Sequence, residues 1–240
     1  MEIINLPADH YLQLIKDNKP FSFSRFGDGE VLCMSNHSTL SENCDGSTFL
    51  PQLVEPMKNV FRNKHHYYHC LLDCTFEPAF KQDVEWFKQF LNEVCPDMDF
   101  YNGEVWQDLS FNGRIKEFAE AVSCYVPVFV GGSHLQHVIA LDGMKDIIHI
   151  ETPDKDSFLV FDWIKQVILE QYAAGSRMFL FSTGYTTKIL IDELFPIIGQ
   201  DSFLIDIGSA LDPYCGRMSR DNMKWQGFSK FQPYTRKKLG

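Results

Sequence analysis

Residues 21–30, FSFSRFGDGE, set an arginine and an Asp-Gly-Glu triplet directly behind a stretch in which Phe21 and Phe23 alternate with Ser22 and Ser24. Carboxylates are hard oxygen ligands, and two in one compact turn can hold Mg²⁺ or Mn²⁺ while leaving positions for water and phosphate oxygens. Arg25 adds a planar fork suited to phosphate. The period-two alternation predicts a strand with a buried face, and Gly27 and Gly29 give the backbone freedom for a turn, so Asp28 and Glu30 stand at the strand's end. The same residues also read as an ordinary Asp-Gly turn opening a helix, with Glu30 in its first turn and Arg25 in a local ion pair.

Three further turns carry small polar residues behind apolar runs. VPVFVGGSHL presents Gly131, Gly132, Ser133 and His134; FLFSTGYTTK presents Ser182, Thr183 and Gly184; FLIDIGSALD presents Asp206, Gly208, Ser209 and Asp212. Glycine lets backbone N–H groups approach a phosphate, Ser and Thr add donors, and the dipole of a following helix favours the anion. Each turn is equally an N-capped strand-to-helix junction with no ligand. None spells GxGxxG or GxxxxGK[ST], which argues against a nicotinamide enzyme and a P-loop ATPase. Glu151, in IIHIETPDKD, marks a fourth strand end and a further candidate, while Asp154 and Asp156 read as first-turn helix residues. His134 and His137 lie three apart with no third ligand in view. His65, His66 and His69 read as packing residues. Trp106, in a loop-like stretch with Gln107, either stacks on a sugar or base or plugs the edge of the core.

Helices are expected near 7–17, 28–35, 50–63, 77–93, 112–122, 134–141, 156–174 and 185–195. Strands are expected near 20–25, 66–72, 98–102, 126–131, 146–151, 177–182 and 202–207. This alternation predicts an α/β fold, Rossmann-like, with a mainly parallel sheet covered by helices on both faces. In such sheets ligands bind outside the carboxyl ends of the strands, where all four turns fall.

The chain has 240 residues, 45% of them hydrophobic, enough for one well-buried domain over 1–216. Seven cysteines, an odd number without CxxC pairing, argue against a disulfide framework and a structural zinc. No apolar run is long enough to span a bilayer, and the first residues carry acids where a signal peptide is basic, so a cytoplasmic location is expected. The net charge is −10. After Cys215 stand seven bases and one acid, a +6 tail over 217–240 that leaves −16 on the rest. Its Trp225, Phe228, Phe231 and Tyr234 can anchor the tail on the body or stack on bases, and its charge can meet donor phosphates, a polyanionic acceptor or anionic lipid.

SRFGDGE followed by an apolar run resembles the signature of the GT-D-type glycosyltransferases, a family first catalogued as a domain of unknown function. The likeness continues through FLFSTGYTTKILIDEL and FLIDIGSALDPY. It implies a GT-D-like fold and transfer of a sugar from a nucleotide diphosphate donor, UDP-hexose by default, through an Asp-X-Glu metal motif. Asp28 and Glu30 would then be the Mn²⁺ or Mg²⁺ pair and Arg25 a pyrophosphate contact. Gly27 and the glycine, serine and threonine turns at 131–133, 182–184 and 208–209 would complete the donor site. If the reaction inverts configuration, a strand-end carboxylate must take the acceptor's proton; Asp212 is the first candidate, before Glu151 and Asp206. A saccharide on a lipid or protein carrier is the expected acceptor, with a modified base in DNA second, disfavoured by the overall acidity. Two other readings suit the same residues: a nucleotide or phosphosugar binding module without chemistry, and a metal-dependent phosphoester hydrolase.

Overall fold

The computed structural model describes residues 2–35, 46–227 and 230–231. Eight strands form one sheet: β1 (Ile3–Ile4), β2 (Ser22–Phe26), β3 (Tyr68–Leu71), β4 (Phe100–Asn102), β5 (Val128–Gly131), β6 (Ile148–Glu151), β7 (Met178–Ser182) and β8 (Phe203–Asp206). Their order is β1-β4-β3-β2-β8-β7-β5-β6, and every neighbouring pair is parallel. The helices are α1 (Ala8–Lys16), α2 (Asp28–Ser35), α3 (Val54–Arg62), α4 (Lys81–Val94), α5 (Val105–Phe111), α6 (Ile115–Val122), α7 (Phe161–Ala173), α8 (Tyr185–Ile198) and α9 (Asp221–Gln226). The expected α/β class and parallel sheet are present.

Side chains alternate across each strand, and the two faces bury different helices. On one face Phe23, Cys70, Phe129, Leu180 and Ile205 pack against Tyr11, Leu12 and Ile15 of α1, Trp106 and Leu109 of α5, and Phe118 and Val122 of α6. On the other, Phe26 and Leu71 meet α2, α3 and α4, while Val130, Phe179, Phe181 and Leu204 meet Ile164 and Ile168 of α7 and Leu190, Ile191 and Leu194 of α8. Each fully buried Leu, Ile or Phe stabilises the fold by about 1.5–3 kcal/mol. The alternation also sends Arg25, two residues beyond Phe23, toward the α5 face and Asp206, two beyond Leu204, toward α8.

Several boundaries depart from the sequence reading. The helix expected over 112–122 is α6, which begins three residues later, at Ile115, after a turn in which Gly113 takes φ +73°. The loop-like stretch around Trp106 is α5, and Trp106 is 1% exposed, a core residue that neither base nor sugar can reach. Residues Ser133–Ala140 form a 3₁₀ segment rather than an α-helix. The two-residue β1 and the short α9 lack any periodic signature.

The central seam sets up the site. β2 leads outward to β3 on one side, whereas the chain leaving β8 packs through Asp212–Cys215 against the 133–140 segment on the other. Register between β2 and β8 covers Ser22↔Leu204 and Phe23↔Ile205 and goes no further. The two strands part beyond Phe23, and a crevice opens between their carboxyl ends, as expected at a topological switch point.

Candidate active site

A cleft of about 410 Å³ lies over this seam. Its lining includes Arg25, Gly27, Asp28 and Glu30 from the end of β2, Ser182 and Gly184 from β7, and Asp206, Gly208, Ser209 and Asp212 from β8. Residues from three separate segments of the sequence thus meet in one place. Gly132 also lines it.

The remaining candidates lie elsewhere. A Cβ on Gly131 would fall 2.5 Å from Leu135 Cδ1 and 2.8 Å from the Ser182 carbonyl, so this glycine lets the end of β5 close on β7. Ser133 and Glu151 are exposed and off the cleft. Thr183 turns inward, its N–H bound to Thr187 Oγ1 at 3.1 Å and its hydroxyl to the same atom at 2.8 Å.

Arg25 is 6% exposed. Its main-chain N–H, left without a β8 partner by the parting of the strands, donates to Asp206 Oδ2 at 3.2 Å. One guanidinium nitrogen donates to Gln107 Oε1 of α5. Nε, 3.9 Å from Asp206 Oδ1, is buried with no hydrogen-bond partner among the described residues. Gly208 is required beside it: φ is +48°, and a Cβ there would fall 2.4 Å from Arg25 Nη2. A guanidinium oriented by Gln107, with donor capacity unspent in a cleft, is an anion receptor. Gly184, at φ 57° and ψ −131°, turns the chain so that α8 begins at the same cleft, where its first N–H groups favour an anion.

Glu30 is committed to other partners. Three residues into α2, its Oε2 accepts the Gly27 N–H at 2.8 Å, the reciprocal half of a capping box. Its Oε1 lies 3.0 Å from Lys188 Nζ. The same ammonium lies 3.1 Å from Asp206 Oδ2 and donates to the Gly184 carbonyl at 3.1 Å. Burial works to lower the pKa of Lys188, but the carboxylates of Asp206 and Glu30 outweigh burial and the repulsion of Arg25, so the ammonium holds its proton more tightly than usual. Asp28 reaches the cleft from the first turn of α2, one oxygen accepting the Gly29 N–H at 2.8 Å. Among the described residues no three of His, Cys, Asp and Glu converge as a ligand set. A divalent ion shared by Asp28 and Glu30, as expected from sequence, does not fit this arrangement, because the lysine already occupies the open side of Glu30.

Asp206 likewise has its oxygens engaged, Oδ1 by the Gly208 N–H at 3.0 Å and Oδ2 as above, so it is placed as a strut and not as a base. Asp212 differs. Its Oδ1 lies 3.0 Å from His134 Nε2, and His134 Nδ1 lies 3.2 Å from Arg217 Nη1. Arginine can only donate, so Nδ1 is the acceptor and Nε2–H donates to Asp212. Arg217 also meets Asp154 Oδ1 at 3.3 Å. Sequence reasoning missed Lys188, Gln107 and this role of Arg217. Glu104 was missed as well; it lines the cleft with its pKa raised by burial and by Asp73 and Asp108 against the pull of Arg25. For Lys188 a signal existed: it sits in YTTKILI, where every other residue is buried, and a buried lysine requires a partner.

Three solved structures match closely in shape. Two structures of domain of unknown function 1792, one described as having a distinct glycosyltransferase fold, superpose at TM-score 0.59 with 19% and 20% identity, over 89% of this chain and 80% of theirs. A third, described as a new glycosyltransferase (DUF1792) from Streptococcus sanguinis, gives TM-score 0.64 at 17% identity over 99% of this chain and 88% of its own. The chain has the DUF1792 glycosyltransferase fold. A scan of family models finds no match to the sequence, and neither does a search of curated proteins. The likeness to the DUF1792 structures is therefore one of fold. No helix among the described residues is long and apolar enough to cross a membrane.

Proposed function

We propose that this chain transfers a sugar from a nucleotide diphosphate sugar, UDP-hexose first among donors, to a hydroxyl acceptor. The observation that carries the reading is the oriented, incompletely partnered Arg25 guanidinium in the β2/β8 cleft, which Gly184 at the start of α8 also lines, in a chain with a glycosyltransferase fold.

Breaking the bond from the anomeric carbon to the diphosphate oxygen develops negative charge on the leaving group. Arg25 and the first N–H groups of α8 meet that charge in fixed positions, so they stabilise the transition state more than the ground state. Gly208 keeps the backbone out of the guanidinium's way. In an inverting reaction the acceptor hydroxyl must lose a proton, and Asp212, held by His134, is the base we assign. Arg217 reaches this end of the cleft from the segment that follows Cys215, so that segment closes one wall of the site. A saccharide on a lipid or protein carrier remains the acceptor class favoured by the acidic body, with DNA second.

A screen of nucleotide sugars by thermal shift tests the reading, because a ligand at a hundred times its Kd adds about 2.7 kcal/mol of stability. The expected result is stabilisation by UDP-sugars and UDP, followed by release of UDP when acceptor is added, with Asp212→Asn lowering kcat and leaving donor affinity in place. No nucleotide sugar stabilising the protein would refute it.

A further inference from the structure

Lys188 makes three contacts: Glu30 Oε1 at 3.0 Å, Asp206 Oδ2 at 3.1 Å and the Gly184 carbonyl at 3.1 Å. An ammonium has three N–H groups, and three oxygens of the protein stand within 3.1 Å of this one. Lys188 is 7% exposed, its charge turned to these partners. The carboxylates it touches are equally engaged, Glu30 by the Gly27 N–H and Asp206 by the N–H groups of Arg25 and Gly208.

Charge balance makes the same point. Glu30 and Asp206 bring two negative charges, and Lys188 and Arg25, whose Nε is 3.9 Å from Asp206, bring two positive ones. The four side chains close electrically. A divalent ion on Glu30 would either displace a buried ammonium or sit within a few ångströms of it, and like charges at that separation repel strongly where water is scarce.

We infer that Lys188 is the resident cation of this site: it occupies the place where the Asp-Gly-Glu sequence calls for a divalent metal, and the cleft receives a diphosphate without one. The last clause rests on the diphosphate reading of the cleft; the first does not. Arg25 and the start of α8 supply the positive field on the ligand side, and Lys188 keeps Glu30 and Asp206 from opposing it. Removing its charge would leave Glu30, in the first turn of α2, and Asp206, at the end of β8, one positive charge short, and carboxylates are the hard oxygen donors that Mn²⁺ takes.

Mn²⁺ alone, followed by the electron paramagnetic resonance of the free aqua ion, tests the first clause. The expected result is that Glu30→Gln leaves Mn²⁺ uptake by the parent unchanged, that Lys188→Met raises uptake by an order of magnitude or more, and that adding Glu30→Gln to Lys188→Met removes the gain. Uptake by the parent that Glu30→Gln abolishes, or no gain in Lys188→Met, overturns the proposal. If Lys188→Met does not fold, the comparison of parent with Glu30→Gln decides. Calorimetry of UDP with the parent tests the second clause: equal affinity in a chelator and in Mn²⁺ supports it, and affinity only with Mn²⁺ overturns it. No UDP binding under either condition would instead refute the diphosphate reading and leave the Mn²⁺ result standing.

Discussion

The main-chain N–H of Arg25 on β2 donates to the side chain of Asp206 on β8, 181 positions away, at the point where the two strands part. A carboxylate here replaces the carbonyl that a longer pairing would have offered. The same residue that seals the end of the ladder therefore fixes the backbone from which the Arg25 guanidinium projects.

Arg25→Lys tests the fork. A lysine cannot reproduce both the bond to Gln107 and a contact to a diphosphate, so affinity for UDP and UDP-sugar should fall together by about 1.5–3 kcal/mol, the range for a hydrogen bond to a charged group. Calorimetry of UDP measures it; equal affinity in mutant and parent removes Arg25 from the site.

Gly208→Ala probes the same guanidinium without touching it. The added Cβ would press on Arg25 Nη2 at 2.4 Å and would hold φ near +48°, a region that disfavours alanine. Donor affinity should drop and the melting temperature should fall modestly. Unchanged affinity in a folded Gly208→Ala protein would show that Arg25 reaches the ligand by another path.

Asp192 gives a pH signature away from the cleft. Burial, opposed by hydrogen bonds from Asn63 and Tyr67, pushes its pKa up to about 7. The folded state therefore binds a proton that the unfolded chain has released, and this contribution to stability is present below about pH 4 and lost as pH rises to about 7. His69 works in the opposite sense. Burial lowers its pKa to about 4, so its contribution is lost as pH falls from the ordinary histidine range. In the parent the two partly cancel. Asp192→Asn should unmask the His69 limb, so that stability by urea titration rises between about pH 4 and 6.5 more steeply than in the parent; parallel profiles would refute the assignment.

Truncation after Gly216 separates two roles of the final segment. Met223 and Phe231 are both 1% exposed, with the Phe231 ring edge-on to Tyr214 at 5.5 Å, while Arg217 lines the cleft. Removing the segment should lower the melting temperature, and Phe231→Ala alone should cost about 3–5 kcal/mol. Arg217→Ala should spare stability and weaken the donor or acceptor complex, which an activity assay at varied substrate resolves. Full stability of the truncated chain would show that the segment is not part of the body.

The parts legible in the sequence were those with a local cause. Alternation in FSFSRF and the apolar runs in VPVFVG and FLFS marked strands, and glycines marked where they end, so three strand ends that meet at the cleft were placed from local signals. What stayed hidden depends on residues distant in sequence. Glu30 as a helix cap follows from its spacing to Gly27, yet its ion pair with Lys188 spans 158 positions and is set by the packing of α8 on β2, the strand that leads into α2. Gln107 reaches Arg25 only because α5 covers the same face as Phe23. Glu151 looked equivalent to Asp206, but β6 is the sheet's edge and β8 its centre, and strand order decides which strand end meets the ligand. Phe228 and Tyr234 of the expected aromatic tail lie outside the described residues, and Trp225 is exposed.

The short register between β2 and β8 has a mechanical side. Apart from the two-residue edge pairing of β1 with β4, the other pairings run to three or four residues, as between β2 and β3 or β7 and β8, whereas the seam has two. The line of weakest main-chain bonding inside the sheet therefore passes beneath the cleft, and the halves of the domain are held together there by Arg25, Asp206, Glu30 and Lys188. A ligand touching Arg25 on one half and the start of α8 on the other would span that line. Its binding would be felt as slowed amide exchange in β2 and β8, far more than in the edge strands β1 and β6.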